Sequence, residues 1–130
     1  MRDEKSQCNI IKMLEKNSSL NEKRKMTAIV LAAGKGSRMH REIPKQFIEV
    51  EGYPVLYYSL KAFQESSVDE IILVTGEDYV DYCVEDIVNR YNLTKVRSVI
   101  TGGAERYDSV YRGLIAASDS EYVLIHDGAR

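Results

Sequence analysis

Four short runs that have the character of β-strands, separated by stretches of helical periodicity, constrain the fold of this chain more than any other feature of its sequence. They lie at 27–32, 70–75, 96–100 and 122–125. The first run is almost continuously apolar, which is typical of a strand buried on both faces in a parallel sheet. The alternation predicts an α/β fold with a mostly parallel sheet and right-handed crossovers between its strands.

Three helices are expected in the intervals between the runs. The clearest, 78–91, has apolar residues spaced as on one helix face: Val80, Cys83, Val84, Ile87, Val88 and Tyr91. An earlier helix starts near Pro54 and has Leu56, Leu60 and Phe63 on one face. A later one, 106–117, should point Val110, Leu114 and Ala117 inward. A short additional strand is predicted over 46–50.

Composition excludes several classes of protein. The 130 residues carry 18 basic and 20 acidic side chains, net -2, so a protein that coats nucleic acid is not indicated. No apolar run approaches the ~20 residues of a membrane span. The two cysteines, Cys8 and Cys83, are too few for a disulfide framework or a cysteine-rich metal site. Because Cys83 lies on an apolar stripe, we interpret it as a small core residue.

The first 26 residues form a basic segment without a clear fold signal. They contain neither the apolar region nor the cleavage site of a secretory signal, and Asp3 and Glu4 argue against a mitochondrial presequence. We expect 1–26 to be a disordered or non-native extension, with Met26 as an alternative start, and 27–130 to be the domain. A cytoplasmic location is predicted.

The loop after the first run has the composition of a polyphosphate site. It reads Ala32-Ala33-Gly34-Lys35-Gly36-Ser37-Arg38-Met39, followed by Ile43-Pro44-Lys45-Gln46. Small residues let the backbone approach a ligand, and successive N–H groups bind anions. Arg38 and Lys45 add positive charge. The loop matches neither the Walker pattern nor the dinucleotide fingerprint. An ordinary glycine turn with surface charges is the alternative.

Two further loops follow the third and fourth runs. The former reads Gly102-Gly103-Ala104-Glu105-Arg106-Tyr107-Asp108-Ser109, and its helix start favours an anion or a polar ligand edge. An ordinary turn capped by acidic residues is equally compatible with it. The latter reads His126-Asp127-Gly128-Ala129-Arg130. An acid directly after a parallel strand is well placed for Mg²⁺, with substrate phosphates completing its shell. A solvated loop acid is the alternative. His126 is more simply a packed or hydrogen-bonded residue.

Taken together, the three loops resemble the amino-terminal part of 2-C-methyl-D-erythritol 4-phosphate cytidylyltransferases. The family pattern is Ala-Ala-Gly-x-Gly-x-Arg-Met, Pro-Lys-Gln, Gly-Gly-x-x-Arg-x-x-Ser-Val and His-Asp-x-Ala-Arg, and this chain contains each in order. The resemblance covers 28–130. It implies a Rossmann-like nucleotidyltransferase fold, here incomplete at its carboxyl end, and transfer of a cytidylyl group from CTP to 2-C-methyl-D-erythritol 4-phosphate in the non-mevalonate route to isoprenoids.

The resemblance also implies roles for individual residues. Arg38 and Lys45 would stabilise the transition state at the α-phosphate, and Asp127 would hold Mg²⁺. The nucleotide would be bound by Ala32, Ala33, Gly34, Gly36, Gly103, Ala104, Ser109, Gly128 and Arg130. The acceptor phosphate is already a nucleophile at neutral pH, so positioning and cations are the main requirements.

This chain departs from the family at particular points. Ala104 replaces a residue that is often polar, and Gly128 replaces a frequent alanine. Family members also continue beyond this chain and are homodimeric through an arm that it lacks, so we expect a fragment. Alternatives are a cytidylyltransferase for ribitol 5-phosphate, a more distant sugar-1-phosphate nucleotidyltransferase, a non-catalytic nucleotide-binding module, or an unstable remnant.

Overall fold

The computed structural model describes residues 24–34 and 43–128. Its elements, in chain order, are β1 (Met26–Ala32), a 3₁₀ turn (Lys45–Phe47), β2 (Glu49–Val50), β3 (Tyr53–Pro54), α1 (Val55–Gln64), β4 (Glu70–Thr75), the helical segment α2 (77–89), β5 (Val96–Thr101), α3 (Arg106–Ala116) and β6 (Tyr122–Asp127). The four predicted strands and three predicted helices are all present.

A four-stranded sheet in the order β5-β4-β1-β6 forms the centre of the described fold. All three pairings in it are parallel, and the register places Ala32 beside Thr75 and Leu31 beside Asp127. β1 and β4 are the inner strands and are buried on both faces, as the continuous apolar run predicted. The predicted α/β class with a mostly parallel sheet is therefore confirmed.

Helices cover both faces of the sheet because alternate residues of each strand point to opposite sides. On one face, Ala28 and Val30 pack in a cluster with the buried side chains of α1 and α2. On the other face, Ile29 and Val74 pack in a cluster with Ala117, which follows α3. The core is thus divided between two layers of side chains.

The packing of α3 differs from the sequence prediction. The sequence predicts Leu114 inward, but its side chain is 42% exposed, whereas Ser109, Gly113 and Ala117 are buried. These small residues at i, i+4 and i+8 let the helix lie close to β1. A Cβ atom at Gly113 would come within 2.7 Å of Cγ2 of Ile29, so the close approach excludes any larger residue there.

The segments 46–50 and α2 also differ in detail from what the sequence predicts. Gln46 and Phe47 belong to the 3₁₀ turn, closed by the Phe47 N–H donating to the Pro44 carbonyl at 3.0 Å, so the strand begins only at Glu49. α2 is not a uniform α-helix. It begins as a 3₁₀ turn (Glu77–Tyr79), continues as one α turn (Val80–Tyr82) and ends as a π-helix (Cys83–Asn89).

Ion pairs tie the amino ends of the strands together, at the opposite edge of the sheet from the predicted site. The buried Glu70 carboxylate contacts Lys25 and lies 2.7 Å from Nε of Arg97, and Lys25 also reaches Asp119 at 2.6 Å. The hydrogen bond from Lys25 lowers the pKa of Asp119. Lys25 therefore takes part in the fold, while predictions for 1–23 fall outside the described residues.

Within the described part of the chain, no helix is long and apolar enough to cross a lipid bilayer.

Candidate nucleotide-binding site

A cleft of about 610 Å³ opens at the carboxyl ends of β1, β4 and β5. In open α/β sheets this is the edge at which ligands bind. Its lining combines glycines and alanines with several larger polar and charged side chains. The lining residues are Ala33, Gly34, Pro44, Gln46, Gly76, Glu77, Asp78, Tyr79, Thr101, Gly102, Gly103, Ala104 and Arg112.

The first predicted loop forms one wall of this cleft. Ala33 and Gly34 line it. Gly34 is exposed, and no atom of the residues that the structure describes lies within 4 Å of the position that an added Cβ would take. Ala32 is buried behind them at the end of β1. Lys45 is exposed and lies between the two lining residues Pro44 and Gln46.

The second predicted loop forms the facing wall. The Gly102 N–H donates to the Thr75 carbonyl at 2.8 Å, which continues the β4–β5 pairing into the loop. The buried Ser109 hydroxyl accepts from the Gly103 N–H at 3.2 Å. At Gly102 a Cβ atom would lie 2.8 Å from the Cβ of Ala33, so glycine is required where the two walls meet. Ser109 therefore holds the loop from its buried side.

α3 starts directly after this loop with a reciprocal cap. The Glu105 N–H donates to Oδ2 of Asp108 at 3.1 Å, and the Glu105 side chain accepts from the backbone at the third helical position. Both acidic side chains thus cap the start of α3, as expected if this segment is an ordinary turn capped by acidic residues. The cap fixes the start of α3, and thereby the position of Ala104, which directly precedes the cap and lines the cleft.

The third predicted loop lies beside the cleft, at the end of β6. Asp127 pairs with Arg106 of α3, whose Nε is 3.2 Å from Oδ1 of the carboxylate. Gly128 is buried and donates its N–H to the Leu31 carbonyl at 2.8 Å. A Cβ atom there would approach Cδ1 of Leu56 to 2.7 Å, so Leu56 occupies the space an alanine would need.

Two titratable side chains near these loops are parts of the packing. The ring of His126 packs edge-on against Phe63, with centroids 5.6 Å apart. Burial raises the pKa of the Cys83 thiol to about 11, and its sulfur lies 3.7 Å from Oγ1 of Thr75. Both observations agree with the interpretation of these residues as core or packed groups.

Comparison with protein-family models identifies the family. The family model for 2-C-methyl-D-erythritol 4-phosphate cytidylyltransferase (IspD) matches residues 26–130. The chain belongs to this family.

Curated relatives and solved structures agree with that assignment. A 2-C-methyl-D-erythritol 4-phosphate cytidylyltransferase from Clostridium novyi is 54% identical over 82% of this chain and 46% of its own length, and one from Lachnospira eligens is 56% identical over 80% and 46%. The crystal structure of 4-diphosphocytidyl-2C-methyl-D-erythritol synthase from Anaerococcus prevotii has a TM-score of 0.66 and 34% identity, covering 82% of this chain and 44% of that one. The chain therefore spans about half the length of the relatives it matches.

The structure places most of the described residues that the resemblance assigns to the site at one edge of the sheet. Ala33, Gly34, Gly103 and Ala104 line the cleft. Ala32, Ser109 and Gly128 lie buried behind its walls or next to it. Gly36, Arg38 and Arg130 fall outside the described residues, so their expected roles stay predictions.

Sequence reasoning missed two parts of the cleft wall. The segment after β4 contributes Glu77 and Asp78, in the first turn of α2, although the rule that selected the other three loops applies equally to it. Arg112 also lines the cleft, and its Nη1 lies 3.3 Å from the Thr101 carbonyl and 3.4 Å from that of Gly102. Nothing in the sequence distinguishes Arg112 from an ordinary exposed helical arginine.

The residues present fit a cation that is shared with a polyphosphate ligand. The described residues contain no group of three or more acidic, histidine or cysteine side chains able to hold a metal by themselves. Asp127 would supply one carboxylate, whose oxygens are of the hard kind that Mg²⁺ prefers. Mg²⁺ is commonly bound in this way, by one or two carboxylates together with substrate phosphates.

Proposed function

We propose that this chain provides the CTP-binding part of an enzyme that transfers the cytidylyl group of CTP to 2-C-methyl-D-erythritol 4-phosphate. The products are 4-diphosphocytidyl-2-C-methyl-D-erythritol and pyrophosphate, in isoprenoid biosynthesis by the non-mevalonate pathway. The observation that carries the proposal is the cleft at the carboxyl ends of the strands, whose lining includes Ala33, Gly34 and Gly103 from the motifs that resemble the family. We place this activity in the cytoplasm.

The proposed roles follow from the chemistry of two anions reacting with each other. A phosphate oxygen of the acceptor attacks the α-phosphorus of CTP, and the bond from that phosphorus to the bridging oxygen of pyrophosphate breaks. The attacking oxygen is already ionised, so no strong general base is needed. Cations that bring the anions together and stabilise charge at phosphorus carry the catalysis. Lys45 and Arg38 are the proposed cations.

The cytosine base and the triphosphate of CTP would occupy different parts of the cleft edge, at the carboxyl ends of the strands. Backbone groups around Gly103 and Ala104 would contact the cytosine, with Ser109 and Gly128 supporting the surrounding loops. The backbone of residues 32–36 would approach the triphosphate, with Arg130 nearby. Asp127 would hold Mg²⁺, which supplies positive charge to the phosphates when bound.

Calorimetric titration with CTP and Mg²⁺ tests the donor site directly, using UTP, ATP and GTP as competitors and circular dichroism to establish folding. The proposal predicts preferential binding of CTP. Gly34→Ala adds a methyl group where residues 24–34 and 43–128 leave space, so it should weaken CTP binding while the melting temperature stays unchanged. A folded chain that binds no nucleotide would contradict the proposal.

A turnover assay separates an enzyme from a nucleotide-binding module. CTP and 2-C-methyl-D-erythritol 4-phosphate are incubated with the chain, and pyrophosphate release is followed, with ribitol 5-phosphate as the alternative acceptor. Because the chain spans about half the length of its relatives, binding without turnover would assign it the donor site alone.

A further inference from the structure

Gln46 connects the two segments that contribute to the wall of the cleft around Gly34. Its side chain is 5% exposed, and its Nε2 atom lies 2.7 Å from the Ala32 carbonyl oxygen and 2.9 Å from that of Gly34. Each acceptor is a carbonyl, so the amide must direct its nitrogen and not its oxygen toward them. Both amide hydrogens are therefore used on the first loop.

The backbone that carries Gln46 is itself anchored. Phe47, the next residue, packs its ring against Tyr79 and Tyr82 of α2, with centroid distances of 4.9 and 5.1 Å. The Phe47 N–H also donates to the Pro44 carbonyl. Gln46 thus extends from a turn that is held in place by packing, and its hydrogen bond holds the Gly34 backbone relative to that turn.

The hydrogen bonds fall where the strand pairing of β1 ends. The Ala32 carbonyl also receives the Thr75 hydroxyl at 3.3 Å, but the Gly34 carbonyl lies beyond the β1–β4 register. Gln46 therefore continues the ordering of the backbone past the last strand residue. Gln46 directly follows Lys45, which is one of the two cations in the proposed mechanism.

Few side chains could replace this amide. A carboxylate at position 46 would put negative charge against two carbonyl oxygens, and asparagine is shorter by one methylene group. A methionine side chain has a similar length but donates no hydrogen bond, so it would leave two acceptors without this donor.

We propose that Gln46 is a positioning residue for nucleotide binding, which holds the Gly34 backbone in the conformation that accepts CTP and fixes it relative to Lys45. This inference rests on the proposed function. It adds that the affinity of the cleft depends on a side chain acting through the backbone of the loop, in addition to any group that touches the ligand.

The test compares CTP affinity in Gln46→Met, Gln46→Glu and a matched control, Gln64→Met. Gln64 also joins two segments through its amide, donating to Thr94 at 2.8 Å and accepting from the Lys95 N–H at 2.9 Å, but it does not line the cleft. Dissociation constants are measured by calorimetry well below each variant's melting temperature.

We expect Gln46→Met to weaken CTP binding about tenfold, the equivalent of one to two lost hydrogen bonds, and Gln46→Glu to weaken it more. Gln64→Met should lower the melting temperature and leave CTP affinity unchanged. Equal affinity of wild type and Gln46→Met would overturn the inference alone. A folded wild-type chain that does not bind CTP would overturn the proposed function and this inference with it.

A second measurement on the unaltered chain does not depend on how the variants fold. In nuclear magnetic resonance spectra the side-chain amide protons of Gln46 should exchange slowly with water. Addition of CTP should shift them together with the Gly34 amide. Binding of CTP without a change in either signal would contradict a positioning role for Gln46.

Discussion

The guanidinium of Arg106 lies against the carboxylate of Asp127, with Nε 3.2 Å from Oδ1 and Nη2 3.5 Å from Oδ2. The pair joins the first turn of α3 to the last residue of β6. The carboxylate that the family resemblance assigns to a divalent cation is thus shared with a positive side chain. A cation that binds Asp127 must displace this guanidinium or tolerate its repulsion.

Arg106→Ala should therefore increase the affinity of the chain for a divalent cation in the absence of nucleotide. Because the Arg106 side chain is 62% exposed and solvent screens its charge, we expect an effect of only about two- to fivefold. Mn²⁺ binding followed by electron paramagnetic resonance measures it. Arg106→Lys keeps the charge and should change little, whereas Asp127→Asn should remove the site. Weaker Mn²⁺ binding by Arg106→Ala would show that the arginine supports the cation.

Gly102→Ala is expected to disturb the junction between the two walls of the cleft. Its methyl group would lie 2.8 Å from the Cβ of Ala33 and 3.1 Å from Cγ1 of Val74, besides meeting the Ser109 hydroxyl. Overpacking of this kind costs about 1–3 kcal/mol, so the free energy of unfolding should fall by that amount. CTP binding should weaken as well, because both walls must move.

Gly76→Ala is the matched control for that variant. Gly76 also lines the cleft, but the nearest atom to an added Cβ is Cδ2 of Tyr79 at an ordinary 3.6 Å. Chemical denaturation of the two variants should therefore give a clear loss of stability for Gly102→Ala and little for Gly76→Ala. If Gly102→Ala lost as little stability as Gly76→Ala, α3 and β4 would have to shift to accommodate the added methyl group at position 102.

The two inner strands were predictable from sequence because burial on both faces imposes a continuous apolar run, as in β1 and β4. The inward face of α3 was not predictable, because its close approach to β1 requires small residues there and leaves Leu114 exposed. The sequence indicated the glycine loops of the site through their unusual composition. It could not indicate that Arg106 meets Asp127 or that Gln46 bonds the Gly34 carbonyl, because such contacts depend on how distant segments pack.

Cys83 should make the stability of the chain depend on alkaline pH. Burial raises the pKa of its thiol from 9.0 to about 11, against a smaller lowering by its hydrogen bond to Thr75. In the unfolded chain the thiol ionises near its ordinary pKa while the native thiol keeps its proton. The stabilisation is therefore complete below pH 9 and is lost progressively as the pH rises toward 11.

Urea denaturation at several pH values, compared with Cys83→Ala, isolates this contribution. Burial also raises the pKa of Tyr82, so the wild type alone would mix several groups. The difference in unfolding free energy between the two proteins should shrink by roughly 2 kcal/mol over that interval. A constant difference would mean that the native thiol ionises as easily as the unfolded one.

β6 presents apolar side chains to solvent at the edge of the described sheet. Tyr122, Leu124 and Ile125 are 41, 44 and 43% exposed, although they lie in a strand that pairs with the buried β1. An exposed apolar edge strand promotes pairing with another chain. We therefore expect this chain to self-associate as its concentration rises, and Leu124→Lys to reduce that association.

Sedimentation velocity at increasing concentration measures this behaviour, with Ala62→Lys as the control. Ala62 is exposed on α1, so its replacement adds the same charge away from β6. The fold should persist in Leu124→Lys, because the side chain is already partly solvated. If both lysine variants reduced association equally, net charge would be responsible. If Leu124→Lys alone reduced it, the apolar surface of β6 would be the contact through which copies of this chain meet.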